Sequence, residues 1–316
     1  MNVHKPKGVP RPVFPTRRII LWLAIGLALP AALFALWCGR FVSQVTTIPH
    51  RPVGTVPAQF PFAVEAVRFK AADGVLLSGW WVPCPGATRA AVLLHGNRRN
   101  RLAMLPHAQL LRAHGYAVLL YDARNHGESD DAPDRHGWNW VEDLVGATDY
   151  LRTRGFRQFG LLGLSQGGIT IAAAADRLRD VSWAVIECTP ADVRSIIVND
   201  LHNATGLPGT FGASIAVPLL EWKTGLKFKD HVLRDKIAAF HCPLLFIAGG
   251  GDQRVYPQEA RELFDRANEP KTFWLIPGAP HTNFYLYGTK AEYERRVLAF
   301  IASATIPETA GLRSSP

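Results

Sequence analysis

A serine flanked by glycines, Gly163-Leu164-Ser165-Gln166-Gly167, stands between an apolar run ending at Leu164 and a stretch of small residues, GGITIAAAA. A hydroxyl is a poor nucleophile until a base takes its proton, so such a serine needs a histidine in reach and a carboxylate to orient that ring. By itself G-x-S-x-G arises by chance in roughly one chain in ten. Its position gives it weight, because a strand-to-helix turn built with glycines projects a serine into a cleft. In that arrangement the acid and the base follow the serine, in that order. His281, in PGAPHTNFY after the last apolar run, fits the base, and Asp252, in FIAGGGDQRVYP, fits the acid. Asp192 is the reserve acid, and Asp122 reads as a structural turn residue. His4, His50, His107, His114, His202, His231 and His241 have no comparable position and read as surface or core residues. Acyl transfer also needs donors aimed at the developing oxyanion. The backbone N–H of Gln166 is one, and the loop His95–Asn100, HGNRRN, supplies the other, with Asn97 the first choice and Arg98 the next.

These residues need a frame that brings them together. Val64–Lys70 and Val75–Val82 read as strands around the Asp73-Gly74 turn, forming an antiparallel pair. Apolar runs come next at Ala90–Leu94, Ala117–Tyr121, Phe159–Leu164, Trp183–Ile186, Leu244–Ala248 and Thr272–Ile276. Helical stretches alternate with them: Ala103–His114, Trp140–Arg154, Gly168–Leu178, Gln258–Ala267 and Ala291–Ala302. Continuous apolar strands separated by helices imply a parallel sheet covered on both faces, whose ligand sites lie beyond the carboxyl ends of the strands. The Gly-, His-, Asp- and Ser-rich segments fall at those ends. One connection, residues 191–241, is far longer than compact α/β units need and reads as a small helical lid. Apolar Ile215–Leu220 with Phe211, Trp222 and Phe228 would roof an apolar pocket.

The formal charge of +9 is unevenly spread. Lys5, Lys7, Arg11, Arg17, Arg18, Arg40 and Arg51 precede the first acidic residue, Glu65, and account for all but two of those charges. Nucleic-acid binding is therefore not expected, since it needs basic residues clustered on the folded domain. Residues 19–39, IILWLAIGLALPAALFALWCG, carry no charge and would span roughly 30 Å as a helix, the thickness of a bilayer's apolar core. The basic residues before the span place the amino terminus in the cytoplasm and the catalytic domain outside it. A cleaved signal is disfavoured because LWCGRFVSQV offers no small-x-small site. The Arg17-Arg18 pair is weak as a twin-arginine signal, and Trp37 before Cys38 speaks against a lipoprotein. The expected organisation is a basic tail (1–18), an anchor (19–39), a linker (40–62), a catalytic domain (63–304) and a tail (305–316). Cys84, Cys188 and Cys242 lack metal-ligand spacing, and the last two read as buried thiols.

LLHGN, YDARNHGES, GLSQGG, GGGDQRV and PGAPHTN, in that order, resemble the α/β-hydrolase superfamily. They are similar in particular to the serine aminopeptidase/monoacylglycerol-lipase-like hydrolases and their membrane-tethered bacterial relatives. The resemblance runs from about Val64 to Ile301. It implies a mainly parallel eight-stranded sheet with helices on both faces, no metal or cofactor, and ester, thioester or amide hydrolysis through an acyl-enzyme. His126-Gly127-Glu128-Ser129 matches a turn that shapes the site wall in that family. Arg98 and Arg99 depart from it, where relatives carry small or uncharged residues. With Arg101 they suggest contact with an anionic substrate, although exposed arginines on a solvated loop read the same way. Tyr285, with Phe284 and Tyr287, suggests contact with an acyl chain. The leading expectation is a carboxylic-ester hydrolase acting on a small-molecule or lipid ester. A serine peptidase or amidase and a non-catalytic tethered binding module are the alternatives.

Overall fold

Strands that are apolar on both sides must be covered on both sides, and the sheet is built accordingly. The computed structural model describes residues 16–135, 137–287 and 290–305. Among these, eight strands form one sheet: β1 (Glu65–Lys70), β2 (Leu76–Val82), β3 (Arg89–Leu94), β4 (Tyr116–Tyr121), β5 (Phe159–Leu164), β6 (Val181–Glu187), β7 (Leu244–Gly249) and β8 (Lys271–Ile276), in the order β1-β2-β4-β3-β5-β6-β7-β8. β2 pairs antiparallel with β1 and with β4, and the remaining pairs are parallel. The two edges are half wet, whereas β4, β5 and β7 are buried along their whole length.

Alternation along β4 divides the core. Ala117, Leu119 and Tyr121 face one layer and Tyr116, Val118 and Leu120 the other. The second layer is closed by α2 (Leu105–Ala113) and α8 (Lys290–Ala304), through Leu110, Leu111, Val297 and Ile301. The first is closed by α3 (Trp140–Thr153), α4 (Gln166–Ala173) and α7 (Pro257–Arg266), through Leu144, Leu151, Ile169, Ile171 and Leu263.

The long connection between β6 and β7 holds two helices, α5 (Arg194–Thr205) and α6 (Gly209–Thr224), followed by short 3-10 turns. They pack closely where Gly209 meets α5, since a Cβ there would sit 1.9 Å from the Val198 carbonyl oxygen. This pair is the cap of the domain. The amino-terminal helix α1 (Thr16–Thr46) is long and apolar enough to cross a membrane from Ile19 onward, with a mean hydropathy of 2.5. It also runs past Gly39, so residues 40–46, expected in the linker, are helical. The reason is packing: Cys38 and Val42 are buried, Cys38 lies against the Gly212 carbonyl of α6, and Phe34 stacks on Phe211 at 5.2 Å between ring centroids. The basic tail before Thr16 and the tail after Thr305 lie outside the described residues.

Candidate active site

Ser165 sits between β5 and α4 with φ 54° and ψ −111°, a conformation that costs a non-glycine residue about 1–3 kcal/mol. Backbone contacts hold it there. Its N–H donates to the Glu187 carbonyl at 2.9 Å, and its own carbonyl accepts from the Ile169 N–H at 2.9 Å. The flanking glycines permit the approach: a Cβ on Gly163 would lie 2.5 Å from the Gly167 carbonyl carbon, and one on Gly167 would lie 2.4 Å from the Leu94 oxygen. A side chain at Gly163 would push the first turn of α4 away, and one at Gly167 would push that turn off β3.

The acid and base loops are brought together by Gly249, Gly250 and Gly251. Cβ atoms there would fall 2.4, 2.9 and 2.7 Å from backbone atoms of Gly278 and Ala279, so the two loops lie backbone to backbone. The Gly250 and Gly251 N–H groups donate across to the Ile276 and Ala279 carbonyls. At the ends of these loops the Ser165 Oγ is 2.9 Å from His281 Nε2, and His281 Nδ1 is 2.7 Å from Asp252 Oδ2. The other Asp252 oxygen accepts the backbone N–H groups of Arg254 and Val255, at 2.8 and 2.9 Å. An anionic Asp252 accepts from Nδ1–H, so Nε2 carries the lone pair and faces the hydroxyl. Serine, histidine and aspartate thus form one continuous hydrogen-bonded chain.

The loop after β3 lies beside the serine, for a Cβ on Gly96 would stand 3.5 Å from the Ser165 Cβ. Two buried histidines fix this loop. His95 donates from Nδ1 to the Gly96 carbonyl and accepts the Ala123 N–H at Nε2. His126 donates from Nδ1 to the Arg124 carbonyl and accepts the Arg98 N–H at Nε2, 3.0 Å away. Burial lowers their pKa values to about 4 and about 3, which keeps both rings neutral and able to accept. The Arg98 N–H is consumed in that bond and is therefore not an oxyanion donor. Among the described residues, no backbone group accepts from the N–H of Gln166 or of Asn97. Gln166 opens α4, where first-turn N–H groups are unpaired.

Other expected residues lie elsewhere. Asp192 accepts the Arg194 N–H at a cap junction and is not part of the chain to His281. Asp122 is fully buried and accepts from the backbone and guanidinium of Arg101, a structural role. Arg101 is correspondingly buried and offers nothing to a substrate. Arg98 holds its guanidinium on the Gln44 carbonyl of α1 at 3.2 Å, so it ties the loop to the amino-terminal helix. Tyr285 is buried, its hydroxyl donating to Glu294 on α8, and it cannot line an acyl pocket. A cavity of about 310 Å³ lies beside Asn97, lined by Val45, Thr46, Ile48, Trp140 and Thr224 together with the polar Asn125, Asp131 and Asp134, and neither Ser165 nor His281 lines it. Sequence reasoning missed this wall, although apolar residues at three- and four-residue spacing from Phe34 to Val45 announce a packed helix face. All four cysteines are free, and among the described residues no His, Cys, Asp or Glu group has the makings of a metal site.

A model of the alpha/beta hydrolase family matches residues 91–299. The chain belongs to the alpha/beta hydrolase family. YfhR of Salmonella typhimurium is 27% identical over 301 residues, covering 92% of this chain and 97% of that protein. The alpha/beta hydrolase domain-containing protein WAV2 of Arabidopsis thaliana is 26% identical over 257 residues, covering 73% of this chain and 77% of WAV2. Among solved structures, the Pyrococcus furiosus esterase Pf2001 superposes with a TM-score of 0.69 at 23% identity, covering 82% of this chain and 99% of the esterase. Family and superposition agree with the α/β sheet described above.

Proposed function

We propose that the protein is a membrane-anchored serine hydrolase that cleaves carboxylic esters through an acyl-enzyme. The carrying observation is the continuous chain from the Ser165 hydroxyl through His281 to Asp252, with spacings of 2.9 and 2.7 Å. In this reading His281 Nε2 takes the hydroxyl proton as Ser165 Oγ attacks the ester carbonyl. Asp252 holds the ring in the accepting tautomer and stabilises the imidazolium. The N–H groups of Gln166 and Asn97 receive the oxyanion, each contributing about 3 kcal/mol to the transition state. The imidazolium then protonates the leaving alkoxide, and a water activated by the same nitrogen releases the acid. Pf2001, an esterase of the same topology, favours esters as the substrate class. We place the acyl group in the cavity beside Asn97, the proposed oxyanion donor, where Val45, Ile48 and Trp140 supply apolar wall among the polar Asn125, Asp131 and Asp134.

The anchor reading rests on α1, which is charge-free from Ile19 to Gly39, and on the basic residues before it, which favour a cytoplasmic amino terminus and an extracytoplasmic domain. Trp22 and Trp37 fall near the two ends of the span, where aromatic side chains prefer to lie. Labelling by a fluorophosphonate probe tests the chemistry. The full-length protein should be labelled, Ser165→Ala should not, and p-nitrophenyl esters should turn over faster than the matching anilides. An unlabelled wild-type protein would refute the proposal.

A further inference from the structure

The cap carries a charge-free corner with no role in the chemistry. From Leu201 to Leu220 there is no Asp, Glu, Lys or Arg, whereas the rest of residues 191–241 holds eleven such side chains, Asp192, Arg194, Asp200 and Glu221 among them. At the tip, between α5 and α6, Leu207 is 47% and Phe211 58% exposed, and at the far end of α6 Trp222 is 84% exposed. Large apolar side chains this open at the tip, with another along the same helix, mark a contact surface.

The neighbour of this corner identifies its partner. Phe34 stacks on Phe211, Cys38 meets Gly212, and Val45 and Thr46 share a cavity wall with Thr224. α1 and α6 therefore run side by side in the same direction. Phe34 lies roughly 22 Å along the helix from Ile19, inside an apolar core about 30 Å thick. Phe211 is held at that depth by its stacking, and Leu207 precedes it at the tip. Trp222 and Lys223 lie roughly 16–18 Å further along α6, at headgroup level, where tryptophan and lysine side chains are favourable. Apolar tip, aromatic collar and basic rim succeed one another in the order that a leaflet demands.

We infer that the α5–α6 corner of the cap is a second membrane contact, with Leu207 and Phe211 inserted in the outer leaflet beside α1. The inference rests on α1 being a membrane span. The cavity beside Asn97, walled by the end of α1, then lies just above the headgroups, close to an ester carried in the lipid.

The test uses the full-length protein in phosphatidylcholine vesicles, with Cys84→Ser leaving only the three buried cysteines. An environment-sensitive fluorophore is attached in turn at Leu207→Cys, Phe211→Cys, Leu27→Cys in the span and Arg266→Cys at the opposite end of the domain. Doxyl-labelled lipid should quench the probes at 27, 207 and 211 at least about threefold more than the probe at 266. Quenching at 27 but not at 207 and 211 overturns the inference and spares the anchor, whereas no quenching at 27 removes both. Self-quenching between probes at 211 on separate chains would replace the bilayer with a second copy and also overturn it. As a second measurement, Leu207→Glu should raise KM for an ester carried in vesicles about tenfold and leave a water-soluble short-chain ester unaffected. Equal effects on both substrates would contradict the inference.

Discussion

Ser165 keeps its strained backbone because the atoms around it leave no other arrangement, and the same holds for the proton chain it begins. Asp252 spends one oxygen on the Arg254 and Val255 N–H groups and the other on His281. Asp252→Asn would retain the first pair with its amide oxygen and turn its NH2 toward Nδ1. The ring would then place its hydrogen on Nε2, facing Ser165, and lose its function as a base. kcat should fall by about 10⁴-fold with thermal stability nearly unchanged, as steady-state kinetics and a melting curve would show. Loss of folding instead of kcat would mean that the carboxylate matters as a buried anion rather than through the tautomer. These three residues were legible in the sequence because their types and order fix their chemistry. Arg98 and Tyr285 were not, because the direction of a side chain is set by partners remote in space. Gln44 on α1 and Glu294 on α8 decide those directions, and no spacing rule reports them.

At the scale of elements, strands were legible wherever both faces are buried, and the antiparallel β1–β2 pair could be read from the Asp-Gly turn. The end of α1 was not, because its apolar run meets Arg40 and the expected span stops there. A membrane span ends when the charge begins, but a helix ends only when its packing does. Phe34, Cys38, Val42 and Val45 form a stripe that continues across Arg40 onto the cap, with Val42 only 3% exposed. This stripe makes α1 a wall of the cavity. Val42→Asp, outside the charge-free span, should separate α1 from α6, since burying an unpaired carboxylate costs several kcal/mol. With Val45, Thr46 and Ile48 withdrawn, KM for a soluble ester should rise about tenfold while kcat stays within about twofold, because the serine, histidine and aspartate are untouched. Kinetics in detergent would check this, and an unchanged KM would show that the wall does not touch substrate.

For the molecule as a whole, stability against pH is governed by polar groups enclosed in the second core layer and around the site. His95, His107 and His126 are held neutral by burial, with pKa values lowered to about 4, 4 and 3. The unfolded chain binds their protons from about pH 6.5 downward, so they make stability fall as the solution is acidified. Glu187 works in the opposite sense. It is fully buried at the end of β6, accepts from the Tyr293 hydroxyl, lies 3.9 Å from His107, and desolvation pushes its pKa up to about 7 from 4.5. A carboxyl whose pKa is raised on folding keeps its proton while the unfolded chain has lost it, so its contribution is complete below about pH 4.5 and is lost as pH rises toward 7. At pH 8 that loss is of the order of 3 kcal/mol. Glu187→Gln presents the same oxygen to Tyr293 without an ionisable proton. It should match the wild type at pH 5 and melt several degrees higher at pH 8. Scanning fluorimetry of the full-length protein at the two pH values reads this directly. An equal shift at both would place the effect in packing rather than in the buried proton.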